Sequence, residues 1–159
     1  MTTTLTAADM TVTLTEAISL NGYDQGSQNT LTISSVTEVS KRIVTVTTTE
    51  AVIATFSSAV ASAGHYVAAD VRYIRFTNLD DTNFITLTFR NQDNDEVAIK
   101  LDAGHSFMWC GDNSDGMTAV FNATQDADAA SSANFGSLTN IQADADTASV
   151  DLEVFVASA

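Results

Sequence analysis

The chain has 159 residues, enough for one domain whose core needs neither disulfide nor metal. Its 20 acidic against 6 basic residues give a net charge of −14, which argues against nucleic acid and anionic membrane as partners, since both need clustered Lys and Arg. Hydrophobic residues are 45% and charged residues only 16%, so this is no disordered tail, and its surface is polar rather than charged.

Thr, Ser, Ala and Asn fill the charge deficit. Thr suits a pleated surface because its Cβ is branched. A weakly charged Thr surface fits either a protein that packs against copies of itself or a soluble β-domain with a Thr-rich solvent face. Proline is absent, so no edge strand is protected by it. Cys110 stands alone, which rules out an intramolecular disulfide and a cysteine metal cage; Met108 and Trp109 beside it suggest a buried or half-buried thiol. Residues 1–10 lack the basic start and apolar block of a secretory leader, and no apolar run reaches the ~20 residues that span a bilayer. Synthesis in a cytoplasm is expected.

Residues 1–9 are Thr-rich with little to bury and read as a flexible N-terminal arm; residues 10–159 read as a single domain. Residues 10–20 alternate through Val12, Leu14, Ile18 and Leu20, a long strand with Glu16 as an anomaly on its apolar face. Residues 21–29 form a turn-rich loop. Leu31 and Ile33 start a second strand, which Ser34-Ser35 interrupts because Val36 shifts the phase. Lys41-Arg42 precede a strand over residues 43–49, and residues 51–56 continue it past a kink. Residues 57–69, rich in Ala and Ser, read as a loop.

Residues 71–110 are strand and turn in strict succession. VRYIRFTN, FITLTF, VAIKL and HSFMWC alternate, and short clusters of Asn, Asp and Gly separate them. Such a pattern predicts an antiparallel meander. Residues 111–116 are a loop, residues 117–123 a short strand, and residues 124–136 a polar surface excursion. A brief strand over residues 138–141 and a turn over 142–147 lead to a closing strand through Val150, Leu152, Val154 and Val156. Eight to ten strands and no helix of this kind predict an all-β antiparallel sandwich, jelly-roll-like, with a meander barrel as the lesser option.

The segments VTVTTTEAVIATF, VRYIRFTNLDDTNFITLTF, KLDAGHSFMW and DLEVFVASA together resemble small virion structural proteins of marine tailed bacteriophages, particularly those of cyanobacteria. The likeness lies in the strand ending Asn78-Leu79-Asp80, the Thr82-Asn83 turn and the Leu101-Asp102-Ala103-Gly104-His105-Ser106-Phe107 turn. It covers roughly residues 43–110 and 150–159. These are structural turns, so the resemblance implies a fold and a virion context rather than a station on the particle.

Sites for chemistry are sparse. No phosphate-binding glycine loop, GxSxG, HExxH or CxxC occurs. His65 and His105 lack a nucleophile and an orienting partner and read as solvent-exposed loop histidines. Asn91, Asp93 and Asp95 have the spacing of a calcium loop with Asp102 at its twelfth position. Glu96 occupies the position that needs Gly, so a hairpin tip is the stronger reading. Asp112, Ser114 and Asp115, or Asp144 and Asp146, could hold a weak cation at a subunit boundary. Tyr73, Phe76, Phe84, Phe89, Phe107 and Trp109 read as core, or as a sugar-stacking platform if exposed. Arg72 or Arg75 is expected to reach a carboxylate on a neighbour. No catalytic, cofactor-binding or metal residue is therefore assigned. The expectation is a non-enzymatic capsid decoration or cement protein, a homo-oligomer (a trimer by preference) bound to the major capsid protein or other virion proteins. A tail, neck or fibre-base component and a carbohydrate-binding module are the alternatives.

Overall fold

The computed structural model describes residues 5–111, 116–117 and 136–159, and its regular structure there is all strand. β1 (Ala8–Glu16), β2 (Ser19–Leu20), β3 (Tyr23–Asp24) and β4 (Ser27–Val36) build one long hairpin. The sandwich follows: β5 (Glu38–Val46), β6 (Ala51–Ser57), β7 (His65–Val67), β8 (Val71–Asn78), β9 (Ile85–Asn91), β10 (Glu96–Leu101), β11 (Ser106–Cys110), β12 (Leu138–Ala145) and β13 (Val150–Ser158). The thirteen strands among the described residues exceed the expected eight to ten because β2, β3 and β7 are too short to show a period.

One sheet has the order β11-β8-β13-β5 and the other β10-β9-β12-β6-β7. β9 pairs with β10, β8 with β11, β6 with β12 and β5 with β13, all antiparallel. The chain is thus one ribbon, folded back at residues 92–95 and rolled so that successive pairs fall on alternate sheets. That is the eight-stranded jelly roll, with β7 added parallel to β6 at one edge. The expected meander is corrected here. β8, β9, β10 and β11 are all present, but only β9 and β10 are hairpin neighbours, and the chain changes sheet between β8 and β9 and again between β10 and β11. Residues 43–56 likewise are not one kinked strand, because β5 and β6 lie in opposite sheets.

Period-two side chains fill the space between the sheets. Ile74 and Phe76 from β8, Leu152, Val154 and Val156 from β13, Ile85 and Leu87 from β9, and Ile141 from β12 are all fully buried. Each such side chain contributes about 1.5–3 kcal/mol by leaving water. The two long sides of the sandwich are closed differently. Phe89, Phe107 and Trp109 meet edge to face with centroids 5.5–6.2 Å apart on the β10–β11 side. Across the other side, Ser40 and Tyr66 share a hydroxyl contact of 3.3 Å, and the Arg42 guanidinium donates to the Ile53 carbonyl.

Buried Asn78 governs the first sheet change. Its amide donates to the carbonyls of Asn83 (2.9 Å) and Leu101 (3.2 Å), and its Oδ1 accepts from the Asp80 N–H at 2.9 Å. Asp80 Oδ1 in turn accepts from the N–H groups of Thr82 and Asn83, both at 2.7 Å, and those donors hold its carboxyl below the usual aspartate range. One side chain therefore ties both crossings together at the end of the sandwich. Asn78→Ala leaves those buried backbone groups unpaired, and the expected loss is about 2–3 kcal/mol. Urea unfolding measures it, with an unchanged far-UV spectrum showing that the fold persists.

Candidate interaction surface

The two sheets present different outer faces. On the five-stranded sheet the outward residues include Thr86, Thr88, Arg90, Asn140 and Gln142. Arg90 pairs with Glu96, and Gln142 donates to Glu50 at 2.7 Å while accepting from Arg90 at 3.2 Å. This surface is largely polar, with Val52, the ladder partner of Gln142, exposed among these groups.

The four-stranded sheet is the opposite case. Ladder registers align Met108, Arg75, Phe155 and Lys41 in one outward row, with Ser106, Thr77, Glu153 and Ile43 in the next. A third row holds Cys110, Tyr73, Ala157 and Val39. Against this face lies the hairpin: Ile33 and Val36 of β4 and Met10 and Val12 of β1 pack on Tyr73, Phe155 and Ala157. Tyr73 meets Phe155 edge to face at 6.0 Å. A cleft between hairpin and sheet is lined by Met10, Val12, Tyr73, Arg75 and Phe155.

Local chemistry explains how the hairpin is placed. Ser35 has φ of +62°, and the pairing slips between Ala8 and Met10. This bulge lets Ile33 and Val36, three residues apart, face the same sheet. The phase shift expected at Ser34-Ser35 is this bulge. β4 runs almost directly into β5, and Thr37 donates to the Ser158 carbonyl at 2.9 Å, so the hairpin is anchored at the end of β13. At its far end Asn21 and Gly22 have φ of 52° and 83°, the left-handed pair of a type I′ turn. Residues 21–29, expected as a loop, are thus the tip turn at Asn21-Gly22 followed by β3 and the start of β4. The Glu16 anomaly is resolved there too, since Glu16 accepts from the Ser27 hydroxyl at 2.5 Å in an exposed position. β1 begins at Ala8, two residues inside the expected arm, and Asp9 accepts from the Ser35 N–H at 3.3 Å.

Charge on the sheet face is concentrated at Glu153. Its carboxylate accepts from Lys41 at 2.9 Å and from Arg75 at 2.6 Å, while Arg75 also donates to Thr77 and lies over the Phe155 ring. Arg75 therefore finds its carboxylate within the chain, not on a neighbour. The Lys41 and Arg75 hydrogen bonds hold the Glu153 carboxyl below its ordinary value, and burial pushes the Tyr73 hydroxyl up despite Arg75 beside it.

The other expected site residues disperse. Asn91 Oδ1 already accepts from the N–H groups of Asp93 (2.9 Å) and Asp95 (2.7 Å), and Asp102 pairs with Lys100 at 2.8 Å. The calcium-like spacing is thus the fold-back of the ribbon. Among the described residues no three His, Cys, Asp or Glu side chains converge as a metal site. Asp112, Ser114, Asp115 and residues 118–135 lie outside the described residues. His65 is half-buried in β7, whereas His105 is exposed and its Nδ1 contacts the Ala103 carbonyl at 2.8 Å. Trp109 and Phe107 point inward, so neither is a sugar-stacking platform. Cys110 is an exposed thiol, contrary to expectation, because the inward phase of β11 belongs to Phe107 and Trp109. Among the described residues no helix is long and apolar enough to cross a membrane.

Because its folded carboxyl is depressed, Glu153 favours the folded state fully above the ordinary carboxylate range. That contribution is lost as pH falls through the depressed value. Glu153→Gln is expected to flatten the fall in melting temperature between about pH 5 and pH 3 relative to wild type. Calorimetry across that range is the check, and parallel curves would remove the ion cluster from the acid response.

No family model, curated protein or solved structure matches this chain, and what can be said of its role rests on this surface and on the sequence.

Proposed function

We propose that this chain is a non-enzymatic bacteriophage virion structural protein. The reading is a capsid decoration or cement protein that binds the major capsid protein, or another virion protein, as a homo-oligomer. It is made in the host cytoplasm and resides in the virion. The observation that carries this reading is the contrast between the two outer faces. One is largely polar, with ion pairs and hydrogen bonds among its own side chains. The other sets apolar side chains around the Lys41–Glu153–Arg75 ions and is only partly covered by its own hairpin, leaving Val39, Ile43 and Met108 of the sheet and Leu14 and Leu31 of the hairpin exposed. Contiguous apolar surface on a soluble domain marks a contact site. The jelly roll itself is neutral on function, and the virion context comes from the sequence resemblance.

Repeated at symmetry-related positions, weak contacts add through multivalency, so each copy needs only modest affinity. A trimer near local three-fold axes is the stoichiometry proposed. The N-terminal residues ahead of β1, or an unpaired edge strand, supply a further contact. Low surface charge lets copies approach closely, while the net charge of −14 keeps free chains soluble. Copy number decides the station. Quantitative mass spectrometry of purified virions is expected to find hundreds of copies per particle, as repeated docking over a whole shell implies. A handful would move the protein to the tail, neck or fibre base, and its absence from the particle would end the reading.

A further inference from the structure

The hairpin is longer than the surface it covers. Met10 and Val12 pack on the sheet, but Leu14 and Leu31, on the same side of the hairpin, are 45% and 44% exposed. Beyond them Ile18 is 50%, Leu20 56% and Tyr23 73% exposed. Leu20 and Tyr23 are directly paired, so both side chains share one side of the tip. From Val12 to Leu20 this arm of the hairpin spans up to roughly 26 Å at ~3.3 Å per residue, and among the described residues its exposed side chains join neither buried cluster.

A matching uncovered area lies on the sheet. Val39 and Ile43, two outward positions either side of Lys41 on β5, are 53% and 61% exposed. The hairpin of the same chain leaves them open. The charges match as well. Residues 8–36 carry Asp9, Glu16 and Asp24 and no Lys or Arg. The sheet patch is centred on Lys41 and bounded by Arg75, with Glu153 as their shared counterion. Asp151 is the next outward carboxylate beyond Ile43, so the sheet patch holds both signs, whereas the hairpin offers carboxylates alone and Lys41 is the exposed cation within their reach.

We propose that the tip of the β1–β4 hairpin docks on the β5 edge of the four-stranded sheet of a second copy. Leu20 and Tyr23 cover Val39 and Ile43, and Glu16 or Asp24 approaches Lys41. The contact is head to tail, since tip and sheet patch are different surfaces. It continues outward the packing that Met10, Val12 and Ile33 already make on their own sheet. Head-to-tail contacts close into rings when the rotation between copies permits. This deepens the homo-oligomer part of the proposed function and rests on it for its biological setting, but it is tested without any virus.

Three chains decide it by sedimentation at about 100 µM, a concentration that detects even weak association: wild type, a tip variant (Leu20→Glu with Tyr23→Glu), and a sheet variant (Ile43→Glu). Wild type is expected to be oligomeric and each variant monomeric with an unchanged far-UV spectrum, since all three positions are exposed. Only wild type is expected to gain melting temperature with protein concentration, because association stabilises the folded chain. An equimolar mixture of the two variants is expected to form a heterodimer, since it retains one intact contact and cannot close a ring. A monomeric wild type overturns the proposal, as does a variant that stays oligomeric or a mixture that stays monomeric. A monomer in solution that is abundant on virions would remove this contact and leave the decoration role standing. An oligomer joined as described but missing from virions would do the reverse.

Discussion

The ladder of β13 with its two neighbours is the constraint on which the rest depends. This strand, the last of the described chain, pairs on one side with β5 and on the other with β8. Val150, Leu152, Val154 and Val156 fill the space between the sheets, and Phe155 and Ala157 form the floor under the hairpin. Neither the inner core nor the outer surface exists until residues more than a hundred positions apart have met. Closing so long a loop costs entropy that only later contacts offset, which places the molecule among slow, topologically complex folders. It also explains the order of the roll. The β9–β10 turn is local and cheap to form, and each further pair encloses the one before it.

That dependence sets what could be read from the residues. The strands of residues 71–110 were legible because alternation is a local property, and the bulge at Ser34-Ser35 was legible because it breaks alternation locally. Partner choice was not. Period two says which residues share a face but nothing about which strand lies beside which. The segments after Asn78 and Leu101 are as short as hairpin turns and as rich in Asn, Asp and Gly. They carry the chain across the sandwich because buried Asn78 satisfies the backbone of both at once. An Asn at the end of a strand is too common to announce such a role. β7 was invisible for another reason: three residues in an Ala/Ser stretch have no period to detect.

The candidate surface was legible only in fragments. The Glu16 anomaly and the phase shift at Ser34-Ser35 showed as local oddities, while the exposure of Ile43 and the hairpin itself did not. The Lys41–Glu153–Arg75 cluster joins three strands, and its members are separated by up to 112 positions. Arg72 or Arg75 was expected to reach a carboxylate on a neighbour because the guanidinium suits bidentate pairing. The jelly roll supplies it by placing β13 between β5 and β8. Long-range pairing thus converts an apparent intermolecular charge into an internal one, and it shifts the candidate contact from Arg75 to the apolar residues that remain uncovered.

The difference between the two outer faces follows from the same arrangement. Across the five-stranded sheet, the Arg90–Glu96 pair and Gln142 with Glu50 hold one another. Adding a partner there would desolvate polar groups without improving their pairing, a net cost. Across the four-stranded sheet the chain already lays its own hairpin on Tyr73, Phe155 and Ala157. Extending that contact removes further apolar surface from water and leaves the central ions paired as they are. Under the proposed self-association, a second ribbon would take that remaining apolar surface out of water without unpairing the ions beside it.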